Sequence, residues 1–150
     1  MRKRDVVVFG MGKFGESVAK QLEANGCKVL AVDSDEEKVR QISEYVTLAM
    51  CANSTDEEAL DELGINNFDT AIVAIGHNME GTILTIMYCK EHGVKRVIAK
   101  ALDELQGKVY AKVGADEVIY PEYEMGKRLA NNLTMSNIVN AIEVADDFSM

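Results

Sequence analysis

The sequence predicts a doubly wound α/β fold: a six-stranded parallel sheet with helices on both faces. Three observations carry that prediction. Short β-branched and apolar runs alternate with helical patterns along the whole chain. Residues 70–75, Thr-Ala-Ile-Val-Ala-Ile, are almost continuously apolar, as a strand buried on both faces requires. The first strand pattern, 6–9, runs into Gly10-x-Gly12-x-x-Gly15 immediately before a helix pattern.

Taken in order, a strand is expected over 6–9 and a helix over 13–25, closed by Gly26. A second strand follows over 28–32. Ser34-Asp35-Glu36-Glu37 reads as a capping box opening a helix with Val39 and Ile42 inward. After a short strand over 47–51, Thr55-Asp56-Glu57-Glu58 reads as another capping box, and Gly64 ends its helix. The buried strand 70–75 precedes a helix reaching about residue 92. A fifth strand covers 96–100. Asp103 and Gln106 cap a helix to about residue 113, and a sixth strand, 117–120, stops at Pro121, the single proline. This is a Rossmann-like pattern of two βαβαβ halves. The boundaries expected are a nucleotide-binding domain over 1–133 and a C-terminal crossover helix over 134–150.

Composition bounds the function. A chain of 150 residues, 47% of them hydrophobic, is large enough for one cored domain. A net charge of −9 argues against a sequence-independent grip on nucleic acid or anionic lipid. Cys27, Cys51 and Cys89 form neither a C-x-x-C nor a zinc spacing, which fits reduced thiols in a cytoplasm. No secretory apolar region follows the basic N-terminus, and no run approaches the length of a membrane span.

The ligand face of such a sheet lies at the strand C-termini. Gly10 allows a tight turn, Gly12 admits a pyrophosphate to the backbone, and Gly15 lets helix and strand approach; Met11, Lys13 and Phe14 lie between them. Asp33 ends the second strand about 20 residues on, where a ribose partner is expected, with Ser34 beside it. Cys51 ends the third strand, and Ala52 and Asn53 suit either a loop over an adenosine or a plain turn. Ala74-Ile75-Gly76 allows close backbone approach to a ligand or simply close packing. Lys100 reaches a phosphate, a partner carboxylate, or only solvent. His77 reads best as a solvated loop histidine. No histidine pairs with a carboxylate or cysteine at a catalytic spacing.

Several motifs together resemble a known family. They are Val8-Phe9-Gly10-Met11-Gly12-Lys13-Phe14-Gly15, Val29-Leu30-Ala31-Val32-Asp33, Glu37-Lys38-Val39, Asn53-Ser54-Thr55, Gly64-Ile65, Ala71-Ile72-Val73-Ala74-Ile75-Gly76, Gly114-Ala115-Asp116 and Pro121-Glu122-Tyr123-Glu124-Met125-Gly126. The last is the most specific, since general Rossmann domains lack it. The chain resembles the KTN, or RCK N-terminal, domains: cytosolic nucleotide-binding regulators of Trk- and Ktr-type potassium transporters. The resemblance implies binding of NAD(H), ATP or ADP without chemistry on them. It implies Asp33 on the ribose, residues 10–15 on the phosphates, Lys38 near the adenosine, Ala52 and Asn53 on the adenine side, and Lys100 toward the phosphates. It implies Glu122 near a γ-phosphate and a divalent cation, Mg²⁺ or Ca²⁺, across a dimer. It further implies a homodimer within a higher ring, a tetramer or octamer, under an integral-membrane potassium transporter subunit. The location would be cytoplasmic, at the inner face of the membrane. Lys13 departs from close relatives, which commonly carry Arg there; Arg forks onto phosphate oxygens where Lys is a point charge. Members often continue into a smaller C-terminal domain, so a shortened or truncated member is implied.

Two other readings share the glycine turn. The cofactor domain of an NAD-dependent oxidoreductase would need a proton-transfer residue near the nicotinamide. A redox-sensing DNA-binding regulator would need a basic helix pair, against the charge of −9.

Two surfaces are expected to associate. Ile83, Leu84, Ile86, Met87 and Tyr88 leave little of the fourth helix polar. Ile138, Val139 and Ile142 form an apolar stripe near the C-terminus.

Overall fold

The computed structural model describes the backbone of residues 5–148 and side chains through residue 135. The chain divides into two units, Met1–Ile119 and Tyr120–Met150. The first contains β1 (Asp5–Phe9), α1 (Lys13–Ala24), β2 (Lys28–Asp33), α2 (Glu36–Ile42), β3 (Leu48–Cys51) and α3 (Glu57–Glu62). A 3-10 turn at Ile65–Asn67 leads into β4 (Thr70–Val73), α4 (Met79–Glu91), β5 (Arg96–Lys100), α5 (Glu104–Lys112) and β6 (Glu117–Ile119). The second unit carries α6 (Pro121–Phe148).

All six strands pair in parallel, in the order β3-β2-β1-β4-β5-β6. The order reverses between β1 and β4, which opens a crevice above their C-terminal ends. The central strands are buried on both faces: Val6, Val7, Val8 and Phe9 of β1 are each at most 3% exposed. Period-two alternation sends Val6 and Val8 to one side, where they meet Ala19 of α1 and Ile42 of α2. Right-handed crossovers past the reversal put α4 and α5 on the other face. On α4, Ile86 is fully buried while Met87 is exposed; Ile83, Leu84 and Tyr88 are half-buried.

Two carboxylates fasten the strands at their N-terminal ends. Glu23 is an acid in the last turn of α1, where the helix dipole disfavours it. Its Oε2 accepts the N–H groups of Val29 and Thr47, both at 3.0 Å, and its Oε1 accepts the Thr47 hydroxyl at 2.6 Å. One side chain thus ties α1 to β2 and to the residue before β3. Asp116 does the same on the far side. Its Oδ2 accepts the Val97 N–H at 2.7 Å and the Lys90 ammonium at 2.9 Å, joining β5 and α4 to the segment entering β6. That contact gives Gly114-Ala115-Asp116 a structural purpose.

Partial burial pushes the Asp116 carboxyl up, but the Val97 hydrogen bond and the Lys90 ammonium outweigh it, with Arg96 adding, and hold it below the usual carboxylate value. A depressed folded value adds stability above the unfolded pKa, about 3.9, that disappears as pH falls through the folded one. Asp116→Asn is therefore expected to be less stable than the unmutated chain at pH 7. That gap should begin to narrow below about pH 4, where the unfolded carboxyl takes up its proton, and close only as pH falls through the lower folded value, where both side chains are neutral in both states. Urea melts across pH 3–7 measure this. A gap unchanged down to pH 3 would place the stabilisation elsewhere.

Two helix starts differ from the sequence expectation by one residue. Asp35, not Ser34, caps α2, accepting the Glu37 N–H at 2.9 Å. Asp56, not Thr55, caps α3, accepting the Glu58 N–H at 3.1 Å. The preceding residue is spent in an Asx turn in both loops. Asp33 Oδ1 accepts the Asp35 N–H at 2.8 Å, and Asn53 Oδ1 accepts the Thr55 N–H at 3.0 Å and the Thr55 hydroxyl at 2.7 Å. The fourth strand stops at Val73 rather than residue 75, as the chain turns over the β1 end.

In the second unit, α6 begins at Pro121, whose missing N–H costs nothing at a helix start. Met125, Leu129 and Leu133 recur every four residues and are each 58–59% exposed. The stripe at Ile138, Val139 and Ile142 lies outside the residues whose side chains are described.

Candidate nucleotide site

A cavity of about 460 Å³ opens over the C-terminal ends of β1, β2 and β4. Its floor is the glycine turn. Gly10 has φ +98°, a left-handed conformation that side chains resist, and an added Cβ would strike the Ala74 carbonyl. A Cβ at Gly15 would strike the Gly10 carbonyl oxygen, so its absence lets α1 approach the turn. A Cβ at Gly12 would meet no protein atom within 4 Å. Packing therefore does not demand Gly12, and the turn stays open to a close approach of its backbone at this point.

The start of α1 differs from the other α-helices of this unit. Side chains cap α2, α3, α4 and α5, through Asp35, Asp56, Asn78 and Asp103. The N-cap of α1 is Gly12, and no side chain caps it. Its first N–H groups face the cavity floor with the positive end of the helix dipole, an arrangement suited to phosphate oxygens. Lys13 and Phe14 line the cavity beside them, and Lys100 stands over the Phe14 ring at 5.7 Å.

The other end of the cavity is built around Asp33. Its Oδ2 accepts the Met11 N–H at 2.7 Å and its Oδ1 the Asp35 N–H. Each carboxylate oxygen has a second lone pair, so two acceptor positions remain for vicinal hydroxyls. Ser34, Asp35 and Lys38 complete that side. The third wall is Ala52, Asn53, Ser54 and Thr55, held next to Asp33 by the Ala52 N–H donating to the Asp33 carbonyl at 3.1 Å. The fourth is Ala74, Ile75 and Gly76, continuing to His77 and Asn78.

Most residues singled out in the sequence therefore meet in one cavity. Within this unit, two do not line it. The Met11 side chain is 4% exposed in the core and contributes its backbone N–H to Asp33. The Cys51 thiol donates to the Ser34 carbonyl at 3.4 Å. Glu122 belongs to the second unit. Asp35, Ser54, Thr55 and Asn78 also line it, and in the sequence their cap and turn chemistry masks that role. His77, expected as a solvated loop residue, is exposed and also borders the cavity. Of the other thiols, Cys89 is buried and its thiol is pushed up to about 12, mainly by desolvation. Among the described residues, no three His, Cys, Asp or Glu side chains gather as a metal site.

An uncapped helix start behind a glycine turn, facing an acid at the next strand end, defines a dinucleotide-type Rossmann domain. The chain belongs to the TrkA-N domain family, whose model matches residues 6–121. It is 40% identical over 148 residues to Ktr system potassium uptake protein C of Bacillus subtilis (strain 168), covering 99% of this chain and 67% of that protein. Its fold is similar to the TrkA-N domain of the inner membrane protein ybaL from Escherichia coli. The TM-score is 0.78 at 17% identity, over 88% of this chain and 98% of that one. It is also similar to the GsuK channel bound to NAD, with a TM-score of 0.69 at 14% identity, over 79% of this chain and 21% of that one.

Proposed function

We propose that this chain is a nucleotide-binding regulatory subunit of a potassium uptake system, changing the state of a Trk- or Ktr-type transporter rather than transforming its ligand. The observation that carries the proposal is the uncapped α1 start with Asp33 across the cavity: phosphate chemistry at one end and hydroxyl recognition at the other. Membership of the family and the naming of a 40% identical relative as a potassium uptake protein support the regulatory role. No helix among the described residues is long and apolar enough to cross a membrane, so control of transport would act through a membrane partner.

In this reading the α1 amides and Lys13 and Lys100 hold phosphates, and Asp33 holds the ribose. Lys38, Ala52 and Asn53 flank the adenosine. NAD(H), ATP and ADP share that half of the molecule. The exposed stripe Met125, Leu129 and Leu133 supports self-association through α6. Glu122 would meet a triphosphate only with Mg²⁺ or Ca²⁺ between the like charges.

Calorimetry of the full chain with ADP, ATP, NADH and NADPH tests the reading. ADP, ATP and NADH should bind without being consumed, and ATP affinity should fall in EDTA while ADP affinity changes less. Failure of all four to bind overturns the proposal. ATP affinity equal in EDTA and in excess Mg²⁺ removes the role given to Glu122.

A further inference from the structure

We propose that Thr85, a residue of α4 outside the cavity, is a positioning residue for nucleoside recognition. It would fix the wall formed by residues 52–55 at the distance the ligand requires. The inference rests on the nucleotide reading above and assigns that site a residue its lining does not reveal.

Thr85 is fully buried, on the inner face of α4. Its Oγ1 lies 2.7 Å from the Gly81 carbonyl, 2.8 Å from Ser54 Oγ and 3.2 Å from the Ser54 carbonyl. A threonine hydroxyl has one proton and two lone pairs. The shortest contact takes the proton to Gly81, leaving the Ser54 hydroxyl to donate to Thr85 Oγ1. That bond links residues 31 apart in the sequence and joins a cavity wall to a helix.

Both partners lead back to the cavity. Ser54 lines it between Asn53 and Thr55. Besides the Ala52 N–H bond to the Asp33 carbonyl, which seats the start of this wall beside β2, its other hydrogen bonds are local: the Thr55 N–H and hydroxyl to Asn53 Oδ1, and the Asp56 N–H to the Asn53 carbonyl at 3.0 Å. They shape the loop without setting its distance from the opposite wall. On the helix side, Gly81 donates its N–H to Asn78 Oδ1 at 2.9 Å, and Asn78 borders the cavity. Ser54, Thr85, Gly81 and Asn78 thus form a continuous strap between two walls. The 52–55 wall adjoins Asp33, so the strap acts on the nucleoside end of the cavity.

The test compares Thr85→Val, which keeps the volume and removes the hydroxyl, with Thr85→Ser, which keeps the hydroxyl and removes a methyl. ADP affinity is measured by calorimetry on the full chain, with thermal melts alongside. Thr85→Val is expected to weaken ADP binding about three- to tenfold, the scale of one hydrogen bond. Thr85→Ser should stay within about twofold of the unmutated chain although it loses buried packing. A double-mutant cycle with Ser54→Ala should show the second change adding little to the first. If Thr85→Val does not fold, Ser54→Ala breaks the same bond from the cavity side and is read in the same way. ADP affinity unchanged in Thr85→Val, or lost equally in Thr85→Ser, overturns the inference while leaving the nucleotide site standing. Failure of the unmutated chain to bind ADP, ATP or NADH overturns both.

Discussion

Gly15→Ala should cost the protein about 3 kcal/mol or more and abolish nucleotide binding. The new methyl would stand against the Gly10 carbonyl oxygen, a backbone atom with nowhere to retreat. Gly10 itself is held by its N–H donating to the Val32 carbonyl at 2.8 Å and by the close approach of Ala74. Relief would require α1 to lift from the turn, removing Ala19 from the Val6 and Val8 cluster. Gly12→Ala is the matched control. Its Cβ meets no protein atom, and its φ of −71° suits alanine. That variant should lose no more than about 1 kcal/mol of stability, the scale of an N-cap change, and yet bind nucleotide poorly because the methyl stands where phosphate would approach. Urea melts paired with ADP titration separate the two. A Gly15→Ala protein that melts like the unmutated chain would mean that helix and turn are not locked together at this point.

Asp33→Ala should weaken NADH and ADP binding by about 1.5–3 kcal/mol, the range for hydrogen bonds to a charged group. The carboxylate has a second duty, since it accepts the Met11 and Asp35 N–H groups. Removing it also leaves two backbone donors unpaired, and the variant should be less stable even without ligand. The specificity of the unmutated chain isolates the binding role from the structural one. A carboxylate that accepts ribose hydroxyls repels a 2′-phosphate, so NADPH should bind much more weakly than NADH. Equal affinity for the two would place the ribose away from Asp33.

The features legible in the sequence are those that local chemistry dictates. The strand runs, the glycine turn and the acid after the second strand concern neighbours along the chain, and their elements stand within a few residues of their expected positions. The cap shifts at Asp35 and Asp56 show the limit. Ser34 and Thr55 satisfy the capping-box pattern equally well on paper. The preceding Asp33 and Asn53 capture the next turn first, so the helix start moves by one residue. The expected match of Gly114-Ala115-Asp116 to a family pattern carried no mechanism. The mechanism is the fastening of Val97 and Lys90, and both partners are distant in sequence.

The sequence by itself determined the fold class, the alternation of elements and the glycine turn at the start of the first helix, because backbone conformation and helix-end polarity follow from adjacent residues. Only the tertiary structure decided the strand order and the cavity above the β1–β4 reversal. It also decided which polar side chains become walls and which become fasteners. Asp33 sits at a strand end in both descriptions, but its two backbone donors appear only once the turn folds over β2. Thr85 reads as an ordinary helical threonine until α4 packs beside residues 52–55. The reason is physical: hydrogen bonds between distant segments depend on how the sheet and its helices close around one core, and no local pattern of residues records that distance.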